Sequence, residues 1–404
     1  MTTAVKRVSS TIVLAICFLI AALEGYDIQA FGVSAPTIGP EFGLNPGQIG
    51  YVASAAMVGL VIGALFGGWI ADRIGRRPVL LISVAVFGLF SVLTAFTHAY
   101  DHLLWARFLT GIGFGGAMPN LIAIATEISK PERRAAATTT IFCGMPAGGA
   151  LVSLAVRFGG DALDWRMIFI VGGLLPLLLL PVILFLLPET RPQRQAGDDH
   201  NLMRALFGEG RAASTLLVWL AFFLTLVILY LMLNWLPSLV IAKDLTPADG
   251  AAASMWFNLI SIVGSLLAGF AVDRLGFRWP LLAMYALLAA VLYFLAKATG
   301  LNAVLVLSGA AGFFVLGAQY SLYAIAPAIY PAHVRAAGAG AAVAVGRLGS
   351  IAGPLLAGTL RQAGLSADSV FMVMIPVSVC AGLAILALAV SRGSDRVSGA
   401  TGAH

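Results

Sequence analysis

Gly68-Trp69-Ile70-Ala71-Asp72-Arg73-Ile74-Gly75-Arg76-Arg77 returns 201 residues later as Gly269-Phe270-Ala271-Val272-Asp273-Arg274-Leu275-Gly276-Phe277-Arg278, in a chain of 404 residues. At the same offset Gly116-Ala117 meets Gly317-Ala318, Ile122-Ala123-Ile124-Ala125 meets Tyr323-Ala324-Ile325-Ala326, and Arg134 meets Arg335. A register held across three separate segments marks a duplicated chain. Each charged copy lies between two long apolar stretches, so the repeated unit reads as a bundle of membrane helices and the whole as two such bundles, repeated in parallel.

Composition leads to the same class. Hydrophobic residues make up 60% of the chain and charged residues 10%, against roughly 25% charged in soluble domains. A membrane helix needs about 20 mostly apolar residues, and twelve such stretches are centred near residues 23, 60, 88, 114, 146, 177, 225, 261, 289, 315, 348 and 380. The predicted fold is therefore an all-α integral membrane protein of twelve transmembrane helices: a six-helix bundle over 1–190, a linker over 191–212 and a second six-helix bundle over 213–404. The linker is polar and short, and Leu202 to Phe207 within it could form a small amphipathic turn on the membrane surface.

The basic balance, a net charge of +6, is topological and does not point to nucleic acid. With both termini in the cytoplasm, seventeen of the 24 Lys and Arg residues fall on cytoplasmic segments and five on outer ones, as the positive-inside rule requires. The short basic N-terminus precedes an apolar run of spanning length with no small-residue cleavage site, so the first helix is expected to remain as an anchor. Cys17, Cys143 and Cys380 lie inside predicted helices and far apart, which excludes a disulfide framework and a metal-ligand spacing. His98, His102, His200, His333 and His404 fall in loops or at ends. No grouping of nucleophile, base and orienting residue supports an enzyme, and neither a metal nor a cofactor is implied.

Four ionisable residues fall well inside predicted spans: Glu24 and Asp27 on the first, Arg107 on the fourth, Arg347 on the eleventh. Charges at such depth are costly and mark functional sites. Glu24 and Asp27 are three residues apart, on one helix face, where mutual repulsion and desolvation favour proton uptake by at least one of them. Arg107 keeps its proton, so it is a fixed charge able to pair with a first-helix carboxylate or release it. These three residues form a proton-coupling group, with Glu24, nearer the helix centre, the more critical acid. Arg347 has no acid evident on its own helix, and its planar donor fork suits a substrate carboxylate. The other reading of all four is a set of mutually neutralising buried ion pairs.

Further candidates for substrate contact are Asn120, Asn234, Asn258, Gln319 and Ser321, which can hydrogen-bond, and Tyr230, Trp235, Tyr320 and Tyr323, which offer aromatic surface. Glycines at four-residue spacing, Gly59, Gly63 and Gly67, Gly111 and Gly115, Gly144 and Gly148, and Gly349 and Gly353, predict helix faces where backbones approach closely.

The repeated Gly68 to Arg77 stretch resembles the loop between helices two and three of the major facilitator superfamily. Gly269 to Arg278 is its weaker echo, with Phe277 in place of the first arginine. Arg107-Phe108-Leu109-Thr110-Gly111 resembles that superfamily's fourth-helix motif, Pro188-Glu189-Thr190 its sixth-helix ending, and Glu24-Gly25-Tyr26-Asp27 the acid-Gly-aromatic-Asp motif of its aromatic acid:proton symporters, with Glu where many members have Asp. The resemblance implies a cytoplasmic gate at Gly68, Asp72, Arg73, Gly75, Arg76, Arg77, Asp273 and Arg274. It places Asp72 against the start of the eleventh span, near Ala337, where a helix N-terminus would stabilise a carboxylate. It further implies a monomeric, multi-pass carrier of the bacterial inner membrane that imports an aromatic carboxylate with protons. The substrate it suggests is 3-(3-hydroxyphenyl)propionate or a related hydroxylated aromatic acid, and the partners are that substrate and the lipid bilayer. The rival function is a proton-driven drug or organic-anion exporter of the same fold, which Arg347 and the basic balance disfavour for cationic drugs.

Overall fold

The computed structural model describes residues 9–130, 133–160, 163–189, 202–208, 210–330 and 334–399. All regular structure among them is helical, and twelve helices are long and apolar enough to cross a membrane. The chain divides into two compact units, Met1–Gln195 and Ala196–His404. The first holds α1 (Ser10–Phe42), α2 (Pro46–Ile74), α3 (Arg76–Thr94), α4 (Tyr100–Ile128), α5 (Arg134–Gly159) and α6 (Trp165–Leu186). The second holds a short α7 (Leu202–Phe207), then α8 (Ala212–Ile241), α9 (Pro247–Leu275), α10 (Arg278–Lys297), α11 (Leu301–Ile329), α12 (Arg335–Gln362) and α13 (Ala367–Gly399). Every predicted span centre falls inside one of the long helices. Large apolar side chains stand outward, Phe158 and Phe185 each about four-fifths exposed, a surface that only a lipid solvent makes stable. The chain is a multi-pass membrane protein.

The duplication is visible in backbone detail. Asn45 caps α2 in a capping box with Gln48, their reciprocal bonds 2.9 and 3.0 Å, and Pro46 opens the helix. At the offset of 201 residues, Thr246 caps α9 with Asp249 at 3.2 and 3.1 Å, and Pro247 opens it. Each box satisfies otherwise orphaned N–H groups at a helix start. The helices α2 and α9 also end alike, on Gly75 at φ +101° and Gly276 at φ +73°, a left-handed region that favours glycine.

Residues 191–201 of the predicted linker, Thr190 of the sixth-helix ending, and His200, His333 and His404 lie outside the described residues. His98 sits in the segment between α3 and α4, whereas His102 falls within the first turn of α4. The six residues from Leu202 to Phe207 form α7, which docks on the start of α8. Thr215 donates to the Leu206 carbonyl at 2.7 Å, and the Phe207 ring meets Trp219 edge-on at 5.6 Å.

The glycine faces bring backbones together. On α2, Gly59 and Gly63 lie against the Phe108 and Ile112 carbonyls of α4, and Gly111 and Gly115 return the contact to Ala56 and Leu60. On α5, Gly148 faces the Ala22 carbonyl, while Gly25 of α1 faces the Met145 carbonyl. This locks the helix that carries Glu24 and Asp27 to α5. Gly349, 201 residues after Gly148, meets the Phe223 carbonyl of α8 in the same way. A Cβ at such positions would collide with backbone, which cannot rotate aside. Gly148→Val is therefore expected to lose at least the ~1–3 kcal/mol typical of an overpacked core. The check is the thermal midpoint of detergent-solubilised protein, and a midpoint equal to wild type would contradict the close α1–α5 approach.

Candidate functional site

In the first unit the site is built on α1, α3, α4 and α6. Asp27 and Arg107 are both fully buried, and Arg107 Nη1 donates to Asp27 Oδ2 at 2.6 Å. Nη2 donates to the Asp27 carbonyl at 3.4 Å. The other carboxylate oxygen, Oδ1, accepts from the Ser91 hydroxyl of α3, which also lies 3.3 Å from the Phe169 carbonyl. The guanidinium stands over two rings, its Cζ 5.3 Å from the centroid of Phe169 and 5.9 Å from that of Phe31. Aromatic faces and a carboxylate together offset the removal of this charge from water. Glu24, one turn before Asp27, is buried with no exposed surface.

In the second unit Arg347 is half-buried on α12, and its Nη1 donates to the Tyr230 hydroxyl of α8 at 2.8 Å. Trp235 is buried, and its indole N–H is taken by the Pro354 carbonyl of α12 at 3.1 Å, which ties α8 to α12. Asn120, in the first unit, and Asn234 and Asn258, in the second, each donate to the carbonyl four residues back on their own helix at 2.8, 2.9 and 2.9 Å. Ser321 does the same to Gly317 at 2.8 Å. The Tyr320 and Tyr323 rings are tilted to one another with centroids 6.3 Å apart, and Tyr323 meets Phe222 of α8 at 5.4 Å. Gln319, four residues before Tyr323, is buried.

At the α2–α3 turn the two copies of the repeat differ in what holds them. Asp72 and Arg73 are exposed, and Arg73 lies 3.7 Å above the Trp69 ring, as Arg274 lies 4.2 Å above Phe270. Asp273 is also exposed. Gly68 and Gly269 have open space where a Cβ would stand. The first copy is anchored further. Glu189 accepts the Arg76 backbone N–H at 3.0 Å, its carboxylate filling the place a Gly75 side chain would take. The Arg76 guanidinium pairs with Glu127 of α4 at 2.8 Å, and Arg77 donates to the Leu184 carbonyl of α6. In the second copy Phe277 replaces the arginine at that place, and Arg278 lies over Trp279 at 4.8 Å.

Sequence reasoning passed over Ser91, Phe31, Phe169 and Glu127. A small hydroxyl in an apolar span is a weak signal for Ser91, and Glu127 could have been found as an acid in the last turn of the fourth span. Nothing in sequence separates Phe31 and Phe169 from the other 21 phenylalanines.

The Major Facilitator Superfamily model matches residues 17–256 and 238–403. Over 373 residues the chain is 40% identical to the 3-(3-hydroxy-phenyl)propionate transporter of Escherichia coli (strain K12), covering 92% of each protein. It is 34% identical over 408 residues to the gallate transporter of Pseudomonas putida, covering 93% of this chain and 91% of that protein. Among solved structures, that of a D-xylose-proton symporter superposes with a TM-score of 0.75 over 94% of this chain and 97% of the other, at 20% identity, which bears on the fold alone. Family model and relatives agree over nearly the whole length: the chain is a transporter, not an enzyme, and belongs to the Major Facilitator Superfamily.

Proposed function

We infer that this carrier imports an aromatic carboxylate, 3-(3-hydroxyphenyl)propionate or a related hydroxylated aromatic acid, together with one or more protons. The substrate class rests on the relatives, whose names are those of aromatic acid transporters over nine-tenths of the chain. Coupling rests on one observation above the others: a buried carboxylate, Asp27, bonded at 2.6 Å to a guanidinium, with a second buried acid one turn away. An ion pair with no exposed surface stabilises little relative to apolar packing. Its retention is explained if breaking and remaking it accompanies proton loading.

In the proposed cycle an acid of the Glu24 and Asp27 pair takes up a proton on the outer side, and the substrate carboxylate enters toward Arg347. Movement of the two units about a midplane site then exposes both to the inside, where the proton leaves and Arg107 pairs with its carboxylate again. The carrier sits as a monomer in the bacterial inner membrane with both termini cytoplasmic. Gly68, Asp72, Arg73, Gly75, Arg76, Arg77, Asp273 and Arg274 form its cytoplasmic gate.

The test is uptake into proteoliposomes with an imposed pH gradient. Wild-type protein is expected to accumulate labelled 3-(3-hydroxyphenyl)propionate against its gradient, and a protonophore to abolish accumulation. Glu24→Gln is expected to insert normally and to lose accumulation while still equilibrating substrate. Accumulation by this variant at the wild-type rate would remove Glu24 from the mechanism. Movement of the acid only outward, against inward proton flow, would favour the exporter.

A further inference from the structure

Gln319 stands apart from the other buried amides. It is 1% exposed, and neither its Oε1 nor its Nε2 reaches a hydrogen-bond partner among the described residues. Asn120, Asn234 and Asn258 each give a donor to their own helix; Gln319 does not. A carboxamide brings an acceptor oxygen and two donor hydrogens, and burying all of them unpaired is costly and rare enough in native proteins to call for a reason.

Its surroundings suggest the reason. Tyr323, four residues on, shares its helix face, and its ring meets that of Phe222 of α8 at 5.4 Å. At 1.5 Å per residue, Gln319 lies about 15 Å from the C-terminal end of α11. By the same measure Arg347 lies about 18 Å from the N-terminal end of α12. Those two helix ends follow one another in the chain and the helices pack together, so amide and guanidinium stand at nearly the same depth in this unit.

We propose that Gln319 reads a hydroxyl group on the ring of the substrate whose carboxylate goes to Arg347. A ring hydroxyl is donor and acceptor at once: it donates to Oε1 and accepts from Nε2, satisfying both orphaned atoms with one group. This rests on the reading of the chain as an aromatic acid carrier and adds to it which acids are chosen. A site built to hydrogen-bond a hydroxyl discriminates strongly against the analogue that lacks it, because its own polar atoms are then left unpaired. The selected class is aromatic acids with a ring hydroxyl, over the same acids without one.

The experiment compares 3-(3-hydroxyphenyl)propionate with 3-phenylpropionate, by binding to purified protein and by uptake into proteoliposomes, for wild type, Gln319→Leu and Gln319→Met. Wild type is expected to favour the hydroxylated acid about tenfold to a hundredfold. In both variants the preference should collapse through loss of the hydroxylated acid, with 3-phenylpropionate bound as well as before or better. The two variants differ in branching, so agreement between them separates loss of the amide from a packing effect. Equal binding of the two acids by wild type, or an undiminished preference in either variant, would overturn the assignment. So would failure of both variants to reach the membrane, which would make Gln319 a structural residue. Transport of neither acid by wild type would instead overturn the aromatic acid reading beneath it.

Discussion

Arg347→Ala is expected to weaken binding of the aromatic carboxylate by about thirty-fold to several thousand-fold. Removing one partner of a buried hydrogen-bonded charge pair costs ~2–5 kcal/mol, and each 1.4 kcal/mol is a factor of ten. The Tyr230 hydroxyl receives Nη1–H at 2.8 Å and so fixes one edge of the guanidinium on α12. Arg347→Lys keeps the charge and loses the planar fork, so it should recover only part of the affinity. Titration with the acid and with its neutral amide provides the check. Wild type should bind the amide poorly, and the alanine variant should barely distinguish the two. An alanine variant that still preferred the acid by the wild-type margin would move the clamp elsewhere, with Arg107 the next candidate.

Asp27→Asn and Arg107→Gln, each alone, should destabilise the carrier by ~3–5 kcal/mol, because each strands the opposite charge in a site without solvent. The combined variant removes both charges and should lose much less than the sum of the two, a coupling expected between residues in direct contact. Thermal midpoints of the solubilised protein measure this. Transport separates folding from coupling: the double variant should insert and fold, yet fail to accumulate substrate against a gradient. If it accumulated at the wild-type rate, the pair would be a structural bond only. Near-additive losses in stability would mean that the 2.6 Å contact is not where the two charges are neutralised.

These expectations draw on two kinds of information. Residue order alone carried the duplication, the twelve spans, the close-packed glycine faces and the four charges that an apolar span does not tolerate without cause. All of these follow from local physics. A run of apolar residues partitions into lipid, and a three- or four-residue spacing places side chains on one helix face. The repeat made such signals legible twice, as at Gly68 to Arg77 and Gly269 to Arg278.

Contacts between helices far apart in sequence were decided only by the tertiary structure. Glu24 and Asp27 share a face, so the sequence leaves open which of them Arg107 takes. The answer, Asp27, depends on the axial register of α1 against α4, which is set by packing along their whole length, including the seat of Gly25 on α5. Likewise Ser91 of α3 completes the Asp27 site from 64 residues along the chain, and Glu189 fills the space beside Gly75 from more than a hundred residues away. In the second unit Tyr230 and Trp235 looked alike as aromatic candidates, yet one orients Arg347 and the other spends its N–H on the Pro354 carbonyl. Whether a polar side chain finds a partner depends on what the neighbouring helix presents at the same depth, and no spacing within one helix contains that. For this reason Gln319 was one candidate among several in the sequence, and only the folded unit sets it apart.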